Sequence, residues 1–334
     1  MDLSRFPRVA LGHWPTPLEP MARLQAHLGA DCPRLFVKRD DCSGLATGGN
    51  KTRKLEFLMA AAQAQGAGAI VTFGAVQSNH ARQTAAAAAK LGLPCDLILL
   101  EMVARDSEAY RWSGNVLFDL LFGARLHLAK DEAGAAAALQ AVTIEHEQAG
   151  RKVFVVPIGG SNAAGSLGYV AAFDEIAGQA REMGFAVDAI VHGSSSGGTQ
   201  AGLIAGAAAA DSATRIMGVN VYKKQGGDIA STVHALTLET MQLAGVPIGD
   251  VSSRLHVIDG YQGDGYGLPS DAMREAVLLA AQTEGLLLDP VYAGKAMAAL
   301  IGHVRKGKFS RGQTVVFLHT GGTAALSAYI DAFT

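Results

Sequence analysis

Short apolar runs alternate along the chain with longer segments whose apolar residues recur at helical spacing. The runs have the length of buried strands, and they are Leu35–Lys38, Ala69–Phe73, Cys95–Leu100, Lys152–Val156, Ala189–His192, Ile216–Val221, Leu255–Ile258 and Val315–Leu318. Helices are predicted at Thr52–Gln65, Asn79–Leu91, Gly114–Leu121, Gly165–Met183, Thr199–Ala208, Ile229–Ala244, Ser270–Glu284 and Gly294–Lys306. This alternation predicts an α/β protein with parallel sheets.

Several predicted strands end directly in turns rich in glycine, serine and threonine. The clearest follows His192 and reads GSSSGGTQ over 193–200. Its glycines let backbone N–H groups converge on an anion, as at phosphate sites beside helix N-termini. The turn does not match the nucleoside-triphosphate pattern G-x-x-x-x-G-K-[ST]. It therefore predicts a phosphate on a smaller cofactor, and an ordinary structural connection is the alternative.

The length of 334 residues exceeds what one hydrophobic core usually serves, so about two domains are expected. No linker rich in proline or serine divides the chain, and a second domain is expected to be inserted into the first.

Charge and cysteine content narrow the classes of function. The balance of 28 basic against 30 acidic residues gives no footprint for nucleic acid or an anionic membrane. No signal peptide or membrane span is visible, which predicts a cytoplasmic protein with a small-molecule site. The cysteines Cys32, Cys42 and Cys95 show no disulfide or metal-ligand spacing, so no metal is expected and all three are predicted to be buried.

Lys51 is the strongest candidate for chemistry. It follows a predicted strand and a glycine-containing loop, and it stands where the next helix begins. The positive end of a helix favours the uncharged amine that attacks an aldehyde. On position alone, a solvated lysine is the commoner outcome.

Six motifs, in order along nearly the whole chain, resemble the D-cysteine desulfhydrase and 1-aminocyclopropane-1-carboxylate (ACC) deaminase family, which also includes L-cysteate sulfo-lyases. They are Gly48–Leu58 (GGNKTRKLEFL), Ala69–Thr84 (AIVTFGAVQSNHARQT), Ile158–Asn162 (IGGSN), Gly265–Pro269 (GYGLP), Leu288–Tyr292 (LDPVY) and His319–Gly322 (HTGG).

The resemblance implies a fold-type II pyridoxal-5′-phosphate (PLP) enzyme, similar to the tryptophan synthase β subunit. Such a protein has two open, twisted, mostly parallel sheets flanked by helices. Residues 1–51 and 166–334 would form a discontinuous large PLP-binding domain, and 52–165 a small inserted α/β domain. The resemblance also implies a homodimer that acts on a small amino acid.

The same resemblance implies roles for individual residues. Lys51 would hold PLP as a Schiff base, and the catalytic set would be Lys51, Ser78, Tyr266 and Tyr292. The cofactor would also contact Asn79, Gly193, Ser194, Ser195, Ser196, Gly197, Gly198, Thr199 and Thr320, with Thr320 at the pyridine nitrogen. The substrate would contact Ser78, Asn79, His80, Tyr266 and Tyr292.

Two positions depart from ACC deaminases, which carry glutamate where this chain has Ala293 and glutamine where it has His80. An alanine methyl can neither hold a proton nor accept a hydrogen bond, and this argues against ACC as substrate. D-cysteine desulfhydrases resemble the chain at His80, although threonine is common among them at the Ala293 position.

The expected activity is therefore β-elimination from D-cysteine to pyruvate, hydrogen sulfide and ammonium. An L-cysteate sulfo-lyase is the first alternative, in which Lys223 or Lys224 would bind the sulfonate, although a solvated turn is the favoured interpretation of that pair. ACC deamination ranks lower. A non-catalytic α/β metabolite-binding protein would explain the glycine loops but not Lys51 and Tyr292 together.

Overall fold

The structure is a computed structural model that describes residues 2–222 and 228–334. Its large sheet contains six strands. The strands are β1 (Leu18–Pro20), β2 (Arg34–Lys38), β7 (Ala189–Ser194), β8 (Arg215–Asn220), β9 (Leu255–Ile258) and β10 (Thr314–Leu318). Their order is β1-β2-β10-β7-β8-β9, and only β1 runs antiparallel to its neighbour.

The small sheet is formed entirely by chain that lies between β2 and β7. Its strands are β3 (Ala69–Ala75), β4 (Cys95–Leu100), β5 (Arg125–Ala129) and β6 (Val153–Val156), in the order β5-β4-β3-β6. All of its pairings are parallel. The predicted class of two mostly parallel sheets flanked by helices is therefore confirmed, while the residue bounds of the two domains stay a prediction.

Helices cover the faces of both sheets. They are α1 (Ala22–Leu28), α2 (Lys51–Ala64), α3 (Asn79–Lys90), α4 (Glu108–Trp112), α5 (Gly114–Leu121), α6 (Glu132–Gln148), α7 (Ala163–Glu182), α8 (Gly198–Ala209), α9 (Ile229–Ala244), α10 (Asp271–Glu284) and α11 (Ala293–Arg305). On β10, Val315 and Phe317 face one apolar core and Val316 faces the other. Burial on both faces explains why this strand is a continuous apolar run.

The elements that the pattern missed are short, exposed or rich in alanine. β1 has three residues and ends in proline, and β5 is an edge strand whose sequence RLHLA alternates with a polar residue. The helices α1, α4 and α6 were also absent from the prediction. Burial of all three cysteines is wrong in one case, because Cys42 is exposed at the end of a short 3₁₀ turn over Asp40–Cys42. Over the described ranges, no helix is long and apolar enough to cross a membrane.

A buried ionic network connects the start of α2 to the turn after β2 and to α7. The Arg53 guanidinium donates to Asp40 at 2.8 and 2.9 Å and to Glu175 at 2.9 and 3.0 Å. Tyr169 donates a further hydrogen bond of 2.6 Å to Asp40, and Lys38 donates one of 2.5 Å to Glu175. Arg53 lies two residues after Lys51, so this network fixes the helix turn from which Lys51 projects.

Candidate active site

A cavity of about 600 Å³ lies at the carboxyl ends of strands from both sheets. All but one of the predicted site residues line this cavity. The lining residues among them are Lys51, Ser78, Asn79, His80, Gly193, Ser194, Ser195, Ser196, Gly197, Thr199, Tyr266, Tyr292 and Thr320. Gly198 is not in the lining, and its N–H donates to the hydroxyl of Ser161 at 3.2 Å. Residues that are far apart in the sequence thus meet at one site.

Lys51 is the first residue of α2 and lies in this cavity. Its Nζ donates to Asn50 Oδ1 at 3.0 Å, and Asn50 Nδ2 donates to Thr199 Oγ1 at 3.0 Å. Burial lowers the pKa of Lys51 to about 8. The uncharged amine that a nucleophile requires is therefore more populated near neutral pH than in a solvated lysine. Asn50 connects the lysine to the glycine-serine turn, and sequence reasoning assigned it no role.

The loop before Lys51 has an unusual backbone that a buried arginine holds in place. Ala46 and Thr47 adopt left-handed backbone conformations with φ of 49° and 65°, which residues other than glycine rarely adopt. Arg82, from α3, donates to the Ala46 carbonyl, to Thr47 Oγ1 at 3.0 Å and to the Gly48 carbonyl at 3.2 Å. These bonds compensate the strain of the loop, and sequence reasoning did not identify Arg82.

The turn from β7 into α8 has the form of a phosphate cradle. Gly197 has φ of +83° and caps the helix, which leaves N–H groups of the first turn available to an anion. Ser196 and Ser161 share a hydrogen bond of 2.7 Å, and a Cβ on Gly159 would lie 2.3 Å from Ser196 Oγ. The glycine at 159 is thus required for the close approach of the two loops.

Lys54 supplies a cation beside this cradle that sequence reasoning also missed. Its side chain is 1% exposed, and its Nζ donates to the Gly159 carbonyl and to Ser161 Oγ, both at 3.1 Å. No carboxylate of the described residues accepts a hydrogen bond from it. Burial and the charge of Lys51 lower the pKa of Lys54. A phosphate in the cradle would provide the missing counter-charge.

The first turn of α3 presents Ser78, Asn79 and His80 to the cavity. Ser78 caps the helix by accepting the Ala81 N–H at 3.1 Å. Asn79 Oδ1 accepts a hydrogen bond of 3.0 Å from Asn115 on α5. The orientation of the Asn79 amide is therefore set by a residue outside the predicted site.

The hydrogen bonds of His80 fix its tautomer. Thr72 Oγ1 lies 2.8 Å from the Val156 carbonyl and 2.8 Å from His80 Nε2. A carbonyl has no proton to give, so the Thr72 hydroxyl donates to it and accepts the proton of Nε2. Burial, with the charges of Lys51 and Lys54, holds the pKa of His80 well below its usual value. His80 is therefore neutral, with an acceptor at Nδ1 that has no protein partner among the described residues.

Tyr266 and Tyr292 meet through their hydroxyl groups, and their rings lie edge to face with centroids 5.8 Å apart. Asp289 accepts the N–H groups of Val291, Tyr292 and Ala293 at 2.8–3.0 Å and so shapes the turn that carries Tyr292. Burial raises the pKa of both tyrosines, which keeps the hydroxyls protonated.

Lys295 holds the loop that carries Tyr266. It is fully buried and donates to the carbonyls of Gln262 and Gly265 at 2.6 and 2.9 Å. Because Lys295 is on α11, it ties this loop to the helix that follows Tyr292.

The arrangement agrees with what comparison with known proteins shows. A family model described as "Pyridoxal-phosphate dependent enzyme" matches residues 9–321. The chain belongs to this family. It is 42% identical to the ACC deaminase of Burkholderia cenocepacia, over 100% of this chain and 99% of the relative. It is also 42% identical to the D-cysteine desulfhydrase of Salmonella newport, over 98% and 97% of the two chains. The predicted D-cysteine desulfhydrase and ACC deaminase family and PLP cofactor are confirmed.

A solved structure supports the same membership. The crystal structure of an ACC deaminase homologue is 36% identical and superposes with a TM-score of 0.88, covering 99% of this chain and 96% of that chain. The residues of this PLP enzyme fit the cofactor, because the glycine cradle and the Lys51 amine lie around one cavity. Lys54, which has no carboxylate partner among the described residues, lies beside the cradle through its hydrogen bonds to Gly159 and Ser161.

The sequence also singled out Ala293, Lys223 and Lys224. Ala293 is fully buried, packs in the apolar core of the large sheet and is not in the described lining of the cavity. Lys223 and Lys224, the predicted partners of a sulfonate, lie outside the described residues.

Proposed function

We propose that this PLP enzyme catalyses β-elimination from D-cysteine, giving pyruvate, hydrogen sulfide and ammonium. The observation that carries the proposal is the charge of the cavity. Lys51 is the only lysine or arginine among the described residues that line it, and His80 is neutral. Such a site suits a substrate with one carboxylate and a thiol.

The predicted site residues have the following roles in this proposal. Lys51 would hold the cofactor covalently, and its amine would remove the proton from Cα. Ser78, Asn79 and His80 bind and orient the substrate beside that lysine. Tyr266 and Tyr292 face the substrate, and the turn from Gly193 to Thr199 holds the phosphate.

The remaining contacts belong to the cofactor. When bound, PLP withdraws electrons from Cα and so stabilises negative charge there. The Thr320 hydroxyl is the proposed partner of the pyridine nitrogen, and Lys54 adds a charge-assisted hydrogen bond to the phosphate.

The lowered pKa of Lys51 predicts how cofactor capture depends on pH. The fraction of uncharged amine rises as pH increases through about 8, because burial penalises the ammonium form. We therefore expect PLP to recombine with the cofactor-free protein faster as pH rises from 6.5 to 8, and the rate to level off above pH 9. Stopped-flow absorbance checks this, and a rate that is constant or falls over that range would refute it.

An L-cysteate sulfo-lyase is the second candidate. Its sulfonate stays anionic in the cavity, where Lys51 is the one lysine or arginine that the described residues contribute to the lining. A buried charge without a cationic partner costs several kcal/mol. The acceptor Nδ1 of a neutral His80 would face sulfonate oxygens without a proton to share. ACC remains a further candidate, because relatives of equal identity are named for ACC and for D-cysteine. Ala293, where ACC deaminases carry glutamate, packs in the apolar core outside the described lining of the cavity, so its methyl does not decide between the two substrates.

The test is a side-by-side assay of pyruvate, sulfide and sulfite release. D-cysteine, L-cysteine, L-cysteate, 3-chloro-D-alanine and ACC are compared at several pH values. We expect kcat/KM to be highest for D-cysteine. A kcat/KM for L-cysteate more than about tenfold above that for D-cysteine, equivalent to roughly 1.4 kcal/mol, would replace this proposal with the sulfo-lyase.

We also propose that the protein is a cytoplasmic homodimer. In each subunit, residues 1–51 and 166–334 would form the large domain, and residues 52–165 the small one. Family resemblance supports this assembly, and so does a group of exposed apolar side chains that includes Trp112, 63% exposed, and Leu121, 70% exposed. Sedimentation analysis measures the mass in solution.

A further inference from the structure

Thr72 carries a buried hydroxyl beside the active site to which the proposed function gives no role. It lies in β3, is 0% exposed and is not in the described lining of the cavity. Its Oγ1 is 2.8 Å from the carbonyl of Val156, its neighbour on β6, and 2.8 Å from Nε2 of His80. Thr72 therefore connects the small sheet to a side chain that lines the cavity.

The Val156 carbonyl sets the direction of both hydrogen bonds. It can only accept, so the Thr72 hydroxyl donates to it and accepts from Nε2 of His80. A neutral imidazole carries one proton, and with that proton on Nε2 the other nitrogen, Nδ1, has a lone pair. Nδ1 is buried without a partner among the described residues. It is therefore the polar atom of the ring that is left for a substrate.

The surroundings of His80 oppose a second proton on the ring. Burial and the charges of Lys51 and Lys54 hold its pKa well below the usual value. Protonation to the imidazolium is disfavoured on both counts. A change of tautomer, from Nε2–H to Nδ1–H, is the remaining way to place a proton on Nδ1.

We propose that Thr72 determines which β-substituent the enzyme accepts, because it fixes the tautomer of His80 and keeps Nδ1 as a hydrogen-bond acceptor. This inference rests on the proposed β-elimination. A thiol can donate its proton to Nδ1, whereas an ionised sulfonate has only acceptor oxygens. The favoured β-substituent is therefore one that carries a proton. Thr72 acts through His80 and is a positioning residue.

A comparison of the wild type with Thr72→Val isolates this effect. To donate to a sulfonate, His80 must move its proton from Nε2 to Nδ1. In the wild type this move removes the hydrogen bond to Thr72, or turns the hydroxyl away and leaves the Val156 carbonyl unpaired. In Thr72→Val neither bond exists, so the move breaks nothing. The substitution thus removes a penalty that applies to the sulfonate alone.

Neutron diffraction from deuterium-exchanged crystals of the holoenzyme gives the first test, because it locates protons on ring nitrogens. We expect a deuteron on Nε2 of His80 and none on Nδ1. The Thr72 deuteron should point to the Val156 carbonyl. This measurement requires no turnover and does not depend on the identity of the substrate.

The second test uses D-cysteate, which differs from D-cysteine only in the sulfonate. Its inhibition constant against D-cysteine turnover reports sulfonate binding, whether or not D-cysteate is cleaved. Thr72→Val should lower the ratio of this constant to the KM of D-cysteine by at least about tenfold, the effect of one buried hydrogen bond. Thr72→Ser keeps the hydroxyl and should restore the wild-type ratio.

The matched control is Thr240→Val, which removes another fully buried threonine hydroxyl. That hydroxyl donates to the Leu236 carbonyl within α9. The ratio should not change in this variant. Circular dichroism verifies folding, and Thr72→Ala, which also lacks the hydroxyl, takes the place of Thr72→Val if the valine variant does not fold.

The outcomes separate this inference from the proposed function. A deuteron on Nδ1, or an unchanged ratio in Thr72→Val, overturns the inference and leaves the proposed β-elimination intact. An equal fall of the ratio in Thr240→Val also overturns it, because the effect would then come from a general loosening of the protein. Absence of pyruvate from D-cysteine overturns the proposed function, while neutron diffraction still decides the tautomer.

Discussion

Lys51→Ala is expected to lower turnover by more than about a thousandfold, because in the proposed function this one side chain provides both covalent attachment of the cofactor and transfer of the Cα proton. The phosphate cradle and Lys54 are untouched by the substitution, so PLP can still bind without a covalent bond. Pyruvate release measures the loss. Borohydride reduction followed by mass spectrometry should find the cofactor attached to wild-type protein and not to the variant.

The control for this substitution is Lys306→Ala, which removes an exposed lysine at the end of α11. It should retain wild-type turnover and reductive labelling. Wild-type activity in Lys51→Ala, or cofactor still fixed by borohydride, would refute the assignment of Lys51. A non-catalytic metabolite-binding protein would show no labelling in any variant.

Arg53→Met is expected to lower the free energy of unfolding by about 3–5 kcal/mol, the usual cost of removing one partner from a buried ionic network. The side chains of Arg53 and Asp40 are 1% and 0% exposed, so the methionine leaves Asp40 as a buried carboxylate without its cation. Urea denaturation measures the change. The turn that carries Lys51 should loosen at the same time, and we expect weaker retention of PLP.

A matched control is Arg305→Met, which breaks an ion pair with Glu275 whose side chains are 46% and 49% exposed. Surface pairs of this kind contribute about 0–1 kcal/mol. A loss below about 1 kcal/mol in Arg53→Met would mean that water or a rearranged lysine replaces the guanidinium, and the network would not be the anchor of α2.

Candidate site residues could be predicted from the sequence where the motif that indicates them consists of consecutive residues. Lys51 after its glycine loop and the turn from Gly193 to Thr199 could be recognised because backbone geometry and reactivity are local there. Lys54 and Arg82 could not, since each looks like an ordinary helical cation. Their importance depends on loops that lie far away in the chain and come close only in the folded protein.

Secondary structure could likewise be predicted where the pattern of consecutive residues determines it. The buried parallel strand β4 has the predicted bounds, because burial on both faces selects a mostly apolar run of residues. The edge strand β9 also has the predicted bounds, although it is only half-buried. The edge strand β5 faces solvent and has no such requirement, so its sequence does not differ from that of a loop. The tautomer of His80 depends on Thr72 and Val156, which belong to two neighbouring strands.

The position of β10 determines the order in which the protein can be completed during synthesis. β10 is the last strand of the described residues, yet it lies between β2 and β7 in the large sheet. The small sheet, by contrast, uses only residues between 69 and 156. During synthesis, the small sheet can therefore form while the large sheet still lacks the strand that joins β2 to β7. Thr320 follows β10 directly, so this residue reaches the cavity only after β10 has paired with β2 and β7.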